Sequence, residues 1–141
     1  MNEDVRAAIR TLREHSGEAY VGSVDEHGFP QIKAMFVSPH GDMRTHYFST
    51  NVSSMRTRQL MENPNACVYY CDTVGIRGAL FTGAMEVCTD HEHRAMLWNE
   101  GDEIYYPQGV DDPDYCVLKF TAETVRYYHA LGICTLAIDE I

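Results

Sequence analysis

Between Phe48 and Arg58 the chain reads Phe-Ser-Thr-Asn-Val-Ser-Ser-Met-Arg-Thr-Arg. Four hydroxyls (Ser49, Thr50, Ser53, Ser54) lead into a segment with two guanidiniums (Arg56, Arg58). Thr45 to Phe48 reads as the end of a strand, Ser49-Thr50-Asn51 as a turn, and the residues from about Ser53 as a helix that must stop at Pro64. A helix start leaves backbone N–H groups unpaired and carries partial positive charge. N–H donors, O–H donors and fixed cations together make a chemically complete phosphate site. The charge map agrees. The chain carries a formal net charge of -10, yet residues 31 to 59 hold four bases (Lys33, Arg44, Arg56, Arg58) against one acid (Asp42), a net of +3. The other reading of these residues is an ordinary N-cap at Ser53 followed by a solvated helix face.

Composition narrows the classes. A chain of 141 residues with 45% hydrophobic content suits one domain, residues 1–141, with an adequate core. No apolar run reaches membrane-helix length. The opening Met1-Asn2-Glu3-Asp4 is acidic and unlike a signal peptide, so the expected location is cytoplasmic. A pI near 5.0 argues against nucleic acid as a partner. Five cysteines without C-x-x-C spacing read as buried structural thiols in a reducing compartment, and no metal site is expected. His91 and His93 sit two apart in a helix start, where their side chains diverge.

The elements that must position the hydroxyl-rich stretch follow in order. Residues 3 to 15 form an amphipathic helix with Val5, Ile9 and Leu12 on one stripe and Arg6, Arg10 and Arg13 elsewhere. Gly17 is suited to a left-handed cap. Strands at 19–24 and 31–37 flank an Asp-Gly-Pro turn and should pair as an antiparallel hairpin. In the second, Ile32, Ala34 and Phe36 share one face, and Lys33, Met35 and Val37 the other. A third strand ends in the opening stretch, and the helix to Glu62 stops at Asn63-Pro64. Strands at 66–71 and 78–89 follow, with Gly83 marking a bend or a close backbone approach. Asp90 caps a short helix containing Met96, Leu97 and Trp98. Glu100 to Asp114, with six acids and no base, reads as a solvated loop. Strands at 115–121, 124–129 and 133–138 complete the chain. This is an α+β protein, and a closed or partly closed antiparallel barrel of about six strands would bury both faces.

With that order in place, the sequence resembles the pyridoxamine 5'-phosphate oxidase-like FMN-binding split barrels, and within them the bacterial general-stress flavoproteins. The carriers are Asp25-x-x-Gly28-x-Pro30, Phe48-Ser49-Thr50-Asn51, Ser53-Ser54-x-Arg56, Gln59-Leu60-x-x-Asn63-Pro64, Gly83, and Gly109-x-Asp111-Asp112-Pro113-Asp114. The resemblance implies a six-stranded antiparallel split β-barrel with flanking helices, assembled as a homodimer with FMN at the subunit interface. It matches Lys33 to a basic FMN-phosphate contact, Ser49 and Thr50 (with Asn51) to the hydroxyl pair after the third strand, and Met55-Arg56, beside Ser54, to the pair that begins the helix. Backbone groups of Lys33, Ala34, Met35 and Phe36 would line the isoalloxazine edge. Gly78 lies where the oxidases place a glutamine facing the flavin. The oxidases' Arg-Pro-x-x-Ser segment is replaced here by His93-Arg94-Ala95-Met96-Leu97-Trp98, and their arginine-containing ending by Ala137-Ile138-Asp139-Glu140-Ile141. The expectation is therefore an FMN-binding flavoprotein, an oxidoreductase acting on an unidentified small molecule, and not a true pyridoxamine phosphate oxidase. The alternative is a non-catalytic stress protein holding flavin or haem, with His40, His46 or His129 as candidate axial ligands. A deazaflavin in place of FMN would want a longer basic groove than this acidic chain offers. Trp98 is expected in the core, while Tyr105 and Tyr106 stand either as loop packing or as a cover over the ligand.

Overall fold

The computed structural model describes residues 4–141. The expected helix start at Glu3 and the residues before it lie outside the described residues. Helix α1 (Val5–His15) is capped by Asp4, whose carboxylate accepts from the Ala7 N–H at 3.2 Å. Its last residue passes directly into an extended Ser16, and Gly17 is not left-handed. Instead, the Gly17 carbonyl accepts from the Val37 N–H and prolongs the next hairpin. Strands β1 (Glu18–Val24) and β2 (Pro30–Phe36) pair antiparallel, with Glu18 opposite Phe36. Between them the Asp25 carboxylate accepts from the Phe29 and His27 N–H groups, and Gly28 takes φ +82, so a tight turn sets the register.

Strand β3 (Thr45–Asn51) runs three residues further than expected, so Ser49, Thr50 and Asn51 belong to the strand and not to a turn. Helix α2 (Met55–Glu62) then leads to β4 (Asn65–Asp72), β5 (Arg77–Cys88) and helix α3 (His91–Leu97). Strand β6 (Tyr115–His129) is one fifteen-residue strand where two were expected, and β7 (Gly132–Ala137) folds back on it. Gly83 explains the continuity. The β5–β6 register shifts between Thr82 and Gly83, and a Cβ at Gly83 would collide with the Thr121 carbonyl. The backbones approach closely there, and the ladder slips by a residue without ending.

The sheet order is β2-β1-β4-β5-β6-β3, all antiparallel, with β7 as a seventh strand on β6. The first half of β6 pairs with β3 and the second half with β7 along the same edge. The six-strand path is the expected split barrel; its end strands β2 and β3 share no ladder, so it stays open. The core fills the barrel with Val21, Phe48, Val68, Phe81, Phe120 and Val125, all almost fully buried, and α1 covers one end with Ile9 and Leu12.

Arg13 corrects the expected stripe. It lies four residues beyond Ile9, on the same helix face, and is 7% exposed. Its guanidinium donates to Nδ1 of His46 and to the carbonyls of His40 and Thr45, each at 3.2 Å. His46 is fully buried. Its Nδ1 also accepts from the Tyr70 hydroxyl at 2.6 Å, and its Nε2 meets the Met43 carbonyl at 2.8 Å. Both ring nitrogens are therefore committed, which removes His46 as an axial ligand. Burial first, and the adjacent Arg13 charge second, push its pKa from 6.5 down to about 3.

That shift makes stability pH-dependent. Below about pH 6.5 the unfolded chain takes up a proton at this imidazole that the folded chain refuses, so folding stability falls as pH drops toward 3. Urea midpoints should decline between about pH 7 and pH 5, the unfolding free energy falling with a slope approaching ~1.4 kcal/mol per pH unit. A midpoint flat across that window would show that His46 is not held neutral.

Candidate functional site

The gap between β2 and β3 is a cavity of about 610 Å³, within the usual range for small-molecule and cofactor sites. One wall is β2 and its continuation, Lys33 to His40. The opposite wall is the end of β3, Ser49, Thr50 and Asn51, with Arg56 at the start of α2. Met96 and Leu97 of α3 and Asp102, Tyr105 and Tyr106 of the following loop form the third side. Because β2 pairs only with β1 and β3 only with β6, each presents one unpaired backbone edge to this space.

The structure gathers Lys33, Ala34, Met35, Phe36, Ser49, Thr50, Asn51 and Arg56 around one cavity. It does not bring the others there. Ser54, not Ser53, is the N-cap of α2; its oxygen accepts from the Thr57 N–H at 3.1 Å and lies 2.8 Å from the Thr57 hydroxyl. Ser53 is instead held by Asp114, which accepts from its N–H at 2.9 Å and its hydroxyl at 3.1 Å. Met55 borders a smaller depression behind Arg56, near Gln31 and Gln59. Gly78 lies across the sheet, where a Cβ would collide with the Tyr69 ring. Arg58 is exposed on α2 outside the cavity, and Arg44 is spent on an ion pair with Asp139.

Arg56 is the cation that matters. It is half-buried, and burial lowers its pKa. Its Nη1 reaches the Thr50 hydroxyl at 3.4 Å, and among the described residues it pairs with no carboxylate. A partly desolvated guanidinium with donors to spare favours an anionic oxygen ligand. Thr50 is 7% exposed and Ser49 exposed, so their hydroxyls lie at different depths beside it. Lys33 adds a second, exposed cation, while Glu18 and Asp102 place carboxylates elsewhere on the lining.

The acid-rich loop is more ordered than a solvated loop. Asp112 is 6% exposed and accepts from the Gln108 and Asp114 N–H groups. Asp114 ties the loop to the start of α2, a connection 61 residues apart in sequence. Beneath the cavity a second apolar cluster contains Cys88, Leu97, Tyr115 and Val117, with Tyr47, Met96, Trp98 and Tyr106 packed against it. Trp98 is thus half-buried in this satellite core. Tyr106 stacks on Tyr115 at 4.8 Å, whereas Tyr105 is 75% exposed; both border the cavity. Burial raises the Tyr106 phenol to about 12, so it stays protonated. Of the five cysteines, only Cys88 and Cys116 are buried; Cys67 and Cys71 are half-buried on the outer face of β4, because alternation places them opposite the core, and Cys134 is half-buried on β7, on the face it shares with Leu136. No helix of the described residues is long and apolar enough to cross a membrane.

The fold and its pocket define an antiparallel split barrel with a cleft at the split, lined by Lys33 on one wall and Arg56 on the other. The family model for pyridoxamine 5'-phosphate oxidase matches residues 5–129, and the chain belongs to this family, on the side of the general-stress proteins. A protein from Clostridium acetobutylicum, related to general stress protein 26 of B. subtilis and of the pyridoxinephosphate oxidase family, is 39% identical over 99% of both chains, with a TM-score of 0.86. Two more distant structures share the fold. A pyridoxamine 5'-phosphate oxidase-related, FMN binding protein from Nostoc punctiforme is 14% identical (97% of this chain, 98% of that one, TM-score 0.74). A heme binding protein from Mycobacterium smegmatis is also 14% identical (99% of this chain, 60% of that one, TM-score 0.77). Among curated proteins none matches.

The clamp between Asp114 and Ser53 fixes the start of α2 and, through it, Arg56. Asp114→Ala should cost about 1–2 kcal/mol of stability, read as a lower urea midpoint at unchanged slope. An unchanged midpoint would mean that the clamp contributes nothing.

Proposed function

We propose that the protein binds FMN in the split between β2 and β3 and works as an oxidoreductase on a small molecule. The observation that carries this reading is Arg56: a half-buried guanidinium, without a carboxylate partner among the described residues, facing a cavity of cofactor size beside the Thr50 and Ser49 hydroxyls. These residues fit a phosphate monoester. Arg56 and Lys33 would neutralise its charge and the hydroxyls would donate to its oxygens. The open backbone edge of β2, Lys33 to Phe36, would hydrogen-bond the polar edge of the ring system. Bound FMN supplies hydride and electron transfer. The protein's part is to hold the ring against β2 and to exclude water with Met96, Leu97 and Tyr106. The family membership and the FMN binding relative support the same reading.

Vitamin B6 oxidation is not the proposed reaction. The helix that would carry a substrate-phosphate clamp is α3, and its Arg94 is committed: Nε donates to the Tyr115 carbonyl at 2.8 Å. The proposed working form is a homodimer with FMN at the interface. Ile32 and Phe36 on β2 are 73% and 87% exposed, and Met55 beside Arg56 is 74% exposed. Burying each against a second copy is worth about 1.5–3 kcal/mol. The five free cysteines support a reducing compartment, the cytoplasm.

Purified protein should be yellow, with two broad flavin bands, and FMN should be released on heating. Arg56→Ala should weaken FMN binding roughly ten- to hundred-fold, the loss of one charge-assisted hydrogen bond. Unchanged affinity would remove Arg56 from the site. A protein that stays colourless with FMN, or that shows a sharp Soret band after haem addition instead, would overturn the flavin reading. Sedimentation should give twice the 16.0 kDa chain mass; a monomer that retains FMN would exclude the interface site.

A further inference from the structure

Outside the cleft, the end of β5 and the start of α3 bring a thiol, a carboxylate and an imidazole together. The donor atoms of Cys88, Asp90 and His93 all lie within 4.8 Å of one another. The spacing C-x-D-x-x-H does this by backbone geometry. In an extended chain residues two apart point the same way, which aligns Cys88 with Asp90. Asp90 is the N-cap of α3, with φ -74 and ψ 153, and an N-cap side chain turns over the third helical residue, His93. We propose that Cys88, Asp90 and His93 form a binding site for a borderline-soft divalent cation of the zinc type.

Three features favour this ligand class. The donor set is mixed S, O and N, which suits zinc and excludes hard, oxygen-seeking magnesium and calcium. The imidazole Nδ1 faces both Asp90 oxygens, at 2.8 Å each, so the two side chains already converge on the point a cation would occupy. The burial is graded: Cys88 is 4% exposed, the His93 side chain 29% and that of Asp90 52%. The sulfur forms the closed end, and the fourth coordination position opens to water. Glu86 and Asp90 add negative charge at the sulfur, partly offset by Lys119. Binding would release the Cys88 thiol proton, while the proton on His93 Nδ1 would move to Nε2 so that Nδ1 can ligate. The geometry asks little movement, since three donors at this separation close around an ion with bonds of about 2.0–2.3 Å.

Titration of the purified protein with Co(II), read as a difference spectrum so that any bound chromophore cancels, tests the site. The expected result is intense tetrahedral d–d bands with a thiolate-to-cobalt charge-transfer band, both displaced by zinc. Cys88→Ser should abolish the charge-transfer band. Asp90→Asn, which keeps the capping oxygen and so the helix, should weaken cobalt and zinc binding at least tenfold. No tetrahedral spectrum, or equal affinity in wild type and Asp90→Asn, would overturn the proposal; the second variant decides the matter even where Cys88→Ser fails to fold.

Discussion

A sheet of this length can curl until its two ends face one another, but they join only if the end strands come into hydrogen-bonding register. Here they do not. Strand β3 is occupied on one edge by the first half of β6, and β2 on one edge by β1, which leaves two backbone edges looking across a gap. That unclosed gap organises the rest of the molecule. Helix α2 sits at one end of it and α3 with its following loop at one side, and neither fills it. The cavity is therefore a consequence of topology, and its chemistry is set by whichever side chains the two end strands and the start of α2 present.

Two arginines show how burial decides a residue's part. Arg13 goes under the barrel and meets only neutral acceptors: an imidazole nitrogen and two carbonyls. Three of its donors are spent on them, and a neutral His46 with a depressed pKa follows from burial first and from the Arg13 charge second. Arg56 is only half-buried, and among the described residues it makes one long contact, to the Thr50 hydroxyl. The first holds the connection from His40 to Thr45, part of which walls the cavity. The second keeps hydrogen-bonding capacity for a ligand. The sequence singled out Arg56 as a phosphate contact but set Arg13 off the apolar stripe of its helix.

Family membership sets the frame without setting the reaction, since related barrels carry different ligands and sites are grafted on folds. What distinguishes this chain is local. Arg94 is turned inward to a strand carbonyl, and Gly78 leaves no side chain over its strand. The acidic loop is used to build the site's frame: Asp114 anchors Ser53, and Asp112 folds the loop that carries it.

Much of this was written in the order of the residues. Alternation and turn chemistry gave most of the strands, the Asp-Gly-Pro hairpin and the Asp90 cap, because these are governed by neighbours a few residues apart. The motif order pointed to the family, the split barrel and the stretch Ser49 to Arg56. Gly83 could be read as a close approach, since only glycine tolerates a carbonyl at that distance. The tertiary structure decided the rest. It made β6 one strand, because a register slip opposite Gly83 costs less than ending the ladder. It assigned the α2 cap to Ser54 and bound Ser53 to Asp114, a partner far along the chain. It buried Arg13 and His46 together, and it left Ile32 and Phe36, which share one face of β2, uncovered. Local sequence fixes which way a side chain points from its own backbone; only the assembled fold determines whether protein, another chain or water stands opposite.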